Sequence, residues 1–229
     1  EISDHAYDQL EEELRKLDPD NYVLGLVGSA PKGVNKIRHD YKMLSLDKCY
    51  EVQDLKSWME EHEVLSIFKL DGVSCSLIYE KGQLTMAKTR GDGVEGENIT
   101  QRAHWIDDIP KYIPLKDAKI EVRGEMYCTE EDFLHLGQAM QDRELARPSS
   151  QRNIVAGLVS RKDDIDLCRF ISFKAFDYIN LAPTHAPLKK EKEKFAKLEK
   201  FGMDVPDEQI HKDFSSVERR IQEAQEFMA

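Results

Sequence analysis

No stretch of the chain is apolar over anything near the roughly 20 residues that cross a bilayer, so no membrane-spanning helix is expected. No basic-then-apolar leader precedes the first charged segment, and the cytoplasm is the default compartment on this reading. Cysteines are few: Cys49, Cys75, Cys128 and Cys168 are widely scattered, without a Cys-x-x-Cys pair. That spacing suggests neither a zinc ribbon nor a disulfide framework and leaves isolated reduced thiols. A basic excess is also lacking, since 33 Lys and Arg stand against 44 Asp and Glu for a net charge of -11. A duplex-binding surface neutralises phosphates with Lys and Arg, so this chain alone is expected to grip DNA poorly. The chain opens on Glu1 rather than Met, and further sequence upstream is expected.

What is present fits an enzyme-sized globular unit. With 229 residues, 40% hydrophobic and 34% charged, the chain has enough apolar material for one substantial core plus a smaller appendage. Ser3 or Asp4 is placed to cap a helix whose apolar positions Tyr7, Leu10 and Leu14 carry it to about Leu17. A loop follows from Asp18 to His39, rich in Gly and Pro. After the short apolar segment Lys42 to Leu46, an amphipathic helix turns Leu55, Trp58 and Met59 to one side. Leu65 to Leu70 reads as a buried strand. Val73, Cys75, Leu77 and Tyr79 alternate with Ser74, Ser76 and Ile78 up to a Lys81-Gly82 turn, and Leu84 to Thr89 returns as the partner strand. Lys119 to Tyr127 and Phe170 to Ile179 are further strands, Glu130 to Gln141 is helical and Ala146 to Val155 is a polar loop. Two helices close the chain, Leu188 to Phe201 with Phe195 and Leu198 inward and Gly202 as its C-cap, and Ser215 to Met228 with a serine cap. The Lys/Glu run at 189 to 194 is a solvated helix face.

The chemistry gathers around Lys69, Asp71 and Gly72, with Arg90 in a second glycine-rich turn across the hairpin. A lysine and an arginine beside such turns are what attack on a nucleotide phosphate requires. A solvated lysine has a pKa near 10.4, so a reactive amine at neutral pH needs desolvation or nearby positive charge. In an extended segment Asp71 faces the same way as Lys69 and can orient its amine or a metal-bound water; a plain Asp-Gly turn is the competing reading. Gly72 lets the backbone turn tightly or pass close to a nucleotide.

Seven motifs in order carry a resemblance to the adenylation domain of the NAD-dependent DNA ligases of bacterial or phage type. They are I-S-D-x-x-Y-D (2 to 8), H-x-x-x-M-L-S-L (39 to 46), K-L-D-G (69 to 72), T-R-G-D-G-x-x-G-E-x-x-T (89 to 100), E-V-R-G-E (121 to 125), R-N-x-x-A-G (152 to 157) and the aromatic segment from Phe173 to Phe176. The resemblance covers nearly the whole chain. It implies an α+β nucleotidyltransferase domain of antiparallel sheets flanked by helices at 39–229. At 1–38 it implies the C-terminal part of a small helical module that binds nicotinamide mononucleotide, with a linker.

By the same resemblance Lys69 is the nucleophile that attacks the α-phosphate of NAD, forms lysyl-AMP and releases nicotinamide mononucleotide. This is the first step in sealing 5′-phosphate/3′-hydroxyl nicks in duplex DNA during replication and repair. Arg90 and a Mg²⁺ ion, for which no ligand residue is assigned, supply positive charge at the phosphate. Asp71 supports the amine, and Glu125 accepts from the adenosine ribose. Phe176 takes the place of an adenine-stacking aromatic, and Arg152 is counted among the nucleotide-binding residues. Asp4, Tyr7 and Asp8 match the module that recognises the cationic nicotinamide half. For Arg123 a structural salt bridge is the favoured reading. The family's usual glutamate two residues before the lysine is replaced by Ile67, which cannot hydrogen-bond a base; on this reading adenine selectivity is either weaker or supplied by the backbone near Ser45 and Leu46. The chain ends before the family's next lysine-bearing strand and its DNA-encircling modules, so contact with nicked DNA is assigned to missing domains or to a second subunit. Two other readings stand beside this one: a non-catalytic NAD- or partner-binding subunit of a split ligase, and a covalent nucleotidyltransferase that uses ATP or GTP.

Overall fold

In the computed structural model, which describes residues 4–19, 36–60, 62–116, 118–181 and 188–228, the chain divides into two compact units. One draws on the residues up to Leu46 and on Arg90–Glu97, the other on Asp47–Thr89 and Asn98–Ala229. Helix α1 (Asp4–Leu17) belongs to the first unit and ends where its apolar spacing predicts. Ser3, one of its two predicted caps, lies outside the described residues. Most of the predicted loop from Asp18 to His39 does too, but its end is a strand, β1 (Lys36–Arg38). This pairs antiparallel with β5 (Glu95–Glu97), with Ile37 opposite Gly96.

The second unit begins with α2 (Val52–Met59). Met59 is buried and Leu55 half-buried, but Trp58 is 71% exposed, so the apolar side of this helix is narrower than its sequence suggests. Strand β2 (Val64–Ile67) pairs antiparallel with β8 (Glu208–His211). The predicted buried strand over 65–70 is corrected here: it ends at Ile67, and with β8 its only ladder partner among the described residues it stays half-exposed.

The main sheet has the order β4-β3-β6-β7, every neighbour antiparallel. β3 (Val73–Glu80) and β4 (Gln83–Thr89) are joined by Lys81 and Gly82, both at positive φ (50° and 84°), the backbone of a tight hairpin turn whose twist matches its strands. A single helical turn, α3 (Thr100–Ala103), leads toward β6 (Lys119–Tyr127), which occupies the predicted span. α4 (Glu130–Asp142) starts at a threonine cap, the Thr129 Oγ1 accepting from the Asp132 amide. A 3-10 segment at Ile165–Phe170 precedes β7 (Ser172–Asn180).

Period-two alternation sends Cys75, Leu77 and Tyr79 of β3, Val122 and Met126 of β6 and Phe173 and Ala175 of β7 into one apolar cluster with Leu136 and Met140 of α4. Each large side chain buried in this way contributes on the order of 1.5–3 kcal/mol. The opposite face is not simply wet. Ser76, Lys88 and Glu121 are all buried there, a polar layer the strand alternation does not announce.

The predicted polar loop at Ala146–Val155 is corrected in its second half. Helix α5 (Gln151–Ser160) starts there, its Ser150 Oγ accepting from the Asn153 amide at 3.3 Å and Ile154, Val155, Leu158 and Val159 turned into the core. The polar run Ser-Gln-Arg-Asn hides this start, because those side chains form the exposed first turn. α6 (Glu191–Lys200) buries Phe195 and Leu198 as predicted. Gly202, at φ 77°, ends it: its amide bonds to Glu199 O and that of buried Met203 to Leu198 O, the paired pattern a left-handed residue permits. α7 (Phe214–Met228) is capped by Asp213, whose Oδ1 accepts from the Ser216 amide at 2.9 Å, and not by the expected serine. No helix among the described residues is long and apolar enough to cross a membrane.

Candidate active site

In the second unit the chain runs from the end of β2 through Phe68, Lys69, Leu70 and Asp71 without turn or bend, bends at Gly72 and enters β3. Lys69 and Asp71 are both exposed. At Gly72 the backbone passes close to protein: a Cβ there would overlap the Met126 carbonyl of β6. The missing side chain lets the strand after the lysine lie tightly on β6. Asp71 meets a second predicted residue, its Oδ1 lying 3.4 Å from Arg152 Nη1. Arg152 reaches it from the first turn of α5, so the cap at Ser150 positions one end of this pair.

The register of β3 and β6 brings Ser74 opposite Glu125. Ser74 Oγ donates to Glu125 Oε2 at 2.6 Å, and Glu125 is only 9% exposed. Ser74 was not singled out from the sequence; its polar place in an otherwise apolar alternation was the available signal. Burial first, and then the charge of Glu125, hold the Cys75 thiol far above its usual range. Lys174 of β7 is paired with Glu125. Since Phe173 and Ala175 point into the core, alternation places Lys174 and Phe176 on the face that carries Glu125. The ladder slips between Arg123 and Gly124, leaving Phe176 without a partner in the register and half-buried. It is therefore not the core phenylalanine that strand position alone would suggest. Arg123 Nε donates to Glu121 Oε1 at 2.8 Å, the predicted salt bridge.

In the first unit, two motifs about fifty positions apart meet. Val94 O accepts from the His39 amide and Gly93 O from the Met43 amide, both at 2.9 Å, while His39 Nε2 lies 3.1 Å from Arg90 O. Asp92 Oδ1 accepts from the amides of Glu95 and Val94 at 2.8 and 2.9 Å, and these bonds hold its carboxyl below the usual range. The turn that carries Arg90 is thereby held from within and from behind. Ser45 and Leu46 follow Met43 and are exposed, Leu46 to 78%. Asp4, Tyr7 and Asp8 lie on α1, but their side chains are outside the described residues.

Among the described residues no group of three or more His, Cys, Asp or Glu is arranged to hold a metal. Magnesium commonly takes one or two carboxylates together with substrate phosphates and waters, so the exposed Asp71 suits it only as a partial ligand. A cavity of about 440 Å³ is lined by Lys174, Glu199, Gly202, Met203, Asp204 and Val205 and contains none of the predicted site residues.

Comparison with known proteins identifies the family. The family model of the NAD-dependent DNA ligase adenylation domain matches residues 32–228. A DNA ligase of Wolbachia pipientis wMel is 34% identical over 221 residues, covering 91% of this chain and 32% of the relative. A DNA ligase of Cereibacter sphaeroides is 37% identical over 186 residues, covering 71% of this chain and 26% of its own length. One of Ureaplasma parvum serovar 3 is 35% identical over 184 residues, with 71% and 27% covered. The chain thus spans about a third or less of the curated relatives it matches. With six of the seven motifs falling wholly inside the matched span, the chain belongs to the NAD-dependent DNA ligase adenylation domain family.

Proposed function

We propose that this chain performs the adenylation step of an NAD-dependent DNA ligase. The Nζ of Lys69 attacks the α-phosphorus of NAD, a P–N bond forms, the P–O bond to nicotinamide mononucleotide breaks, and the nitrogen loses a proton. The observation that carries the reading is the course of K-L-D-G: it leaves Lys69 exposed at the end of β2 and leads within five residues to Ser74, hydrogen-bonded to Glu125. An exposed amine becomes a useful nucleophile only when bound nucleotide excludes water from it, which confines its reactivity to the complex. In this reading Glu125 accepts from a ribose hydroxyl and Phe176 offers a ring face to the base. Asp71, tethered by Arg152, orients the amine. Arg90 stabilises charge on the phosphate oxygens, Asp4, Tyr7 and Asp8 take the nicotinamide half, and the backbone at Ser45 and Leu46 lines the nucleotide. Magnesium would accompany the phosphates as a counter-ion. AMP would then pass to the 5′-phosphate of a nick, with duplex contacts made by other domains or by a second subunit.

Intact mass after incubation with NAD and Mg²⁺ tests this. The wild-type chain is expected to gain one AMP and release nicotinamide mononucleotide. Lys69→Ala is expected to gain none while keeping its melting temperature, because an exposed side chain away from any cap or core contributes within about 0.5 kcal/mol. An adduct retained in Lys69→Ala would overturn the nucleophile, and labelling by ATP or GTP but not NAD would overturn the NAD reading.

A further inference from the structure

The two-stranded ribbon of β2 and β8 has two distinguishable faces. His211 is fully buried between Ser66 Oγ, 2.7 Å from its Nε2, and Ser216 Oγ of α7, 3.0 Å from its Nδ1. Arg220 of α7 lies over the Phe68 ring at 4.2 Å and donates to Asp207 at 2.7 Å. Ser66, Phe68, Asp207 and His211 therefore face α7. Residues one position away point to the other side. That second side carries Ile67, its register partner Glu208 and, with no turn or bend between Ile67 and Asp71, Lys69.

Glu208 is the anomaly on this side. Its Oε2 is buried and has no hydrogen-bond partner among the described residues. A buried carboxylate oxygen without a protein donor is costly, so it marks a place where a donor arrives from outside the chain, from solvent or from a ligand. Ile67 directly across cannot supply one. Lys69 lies two extended residues beyond, roughly 7 Å along the chain, on the scale of one nucleoside from base to phosphate.

We propose that Glu208 is the base-specificity residue of the adenylation step, its carboxylate accepting a hydrogen bond from the exocyclic amino group of adenine. The proposal rests on the function given above. An adenine amino group satisfies the orphaned oxygen. A base with a carbonyl there meets it with a second acceptor and leaves both unpaired, the situation in which polar sites discriminate most strongly.

The experiment compares covalent labelling of the full chain by NAD and by its hypoxanthine analogue, which has a carbonyl in place of the amino group. Wild type is expected to favour NAD by about 10- to 100-fold. Glu208→Ala should bring the two within about threefold, and Glu208→Gln, whose amide both donates and accepts, should move the preference toward hypoxanthine. Equal losses on both dinucleotides in the variants would mean a structural role and overturn the proposal. So would a wild type without preference, or a Glu208→Ala that keeps the preference. A wild-type chain that NAD never labels brings down the proposed function as well, whereas labelling with an unchanged preference brings down this inference alone.

Discussion

Glu121 is wholly buried on the polar face of the main sheet, with Ser76 Oγ and Arg123 Nε each donating to its Oε1 at 2.8 Å. A buried ion pair is poor evidence of net stabilisation, but losing one partner is severe, because the remaining charge stays in a poorly solvating site. Arg123→Ala is therefore expected to destabilise the fold by about 3–5 kcal/mol in urea unfolding, and the double change Glu121→Leu, Arg123→Met to recover most of that. A loss under about 1 kcal/mol would mean that the pair behaves like a surface one. The Asp71–Arg152 pair contrasts with it: side chains 72% and 56% exposed at 3.4 Å hold orientation more than stability. At this scale the motif string E-V-R-G-E was legible, as was the salt-bridge reading of Arg123. The Ser74 hydroxyl on Glu125 and the orphaned oxygen of Glu208 were not, because both depend on which residue stands opposite across a ladder.

Among elements, the Arg90–Glu97 turn depends on one carboxylate. Asp92 accepts from two successive backbone amides, which depress its folded pKa below the ordinary value of about 3.9. A depressed carboxylate contributes stability that is complete above the unfolded pKa and is lost as the pH falls through the folded one, so the loosening belongs below about pH 4. The amide resonances of Val94 and Glu95, followed by NMR, are expected to titrate together with a midpoint under that value; a midpoint at or above it would count against Asp92 as the tether. Elements defined by strong local signals were read directly: the hairpin at Lys81-Gly82, the span of β6, the glycine end of α6. α5 was missed because its polar first turn resembles a loop. β2 was overextended because the apolar run through Leu70 gives no sign of where a ladder partner ends.

For the molecule as a whole, the thiols report on the core. Cys75, Cys128 and Cys168 are buried and Cys49 is exposed. Burial pushes Cys128 up to about 11 and Cys168 up to about 12, and Cys75 further still. A disulfide reagent at neutral pH is expected to modify one thiol quickly, at Cys49, and the other three only with global unfolding; fast reaction of a second thiol would show that the core opens locally around that residue. The net charge of -11 bears on partners at this scale, since electrostatic attraction to a duplex is weak for such a chain. Motif order and strand alternation were enough, by themselves, to determine the family and the antiparallel α+β class, because these depend on residue types at fixed local spacing. Only tertiary structure decided that His39 and Met43 brace the Arg90 turn, that Gly72 yields to the Met126 carbonyl, and that Glu208 stands opposite Ile67. Those facts depend on register between segments distant in sequence, and register is set by packing and hydrogen-bond pairing that no local spacing encodes.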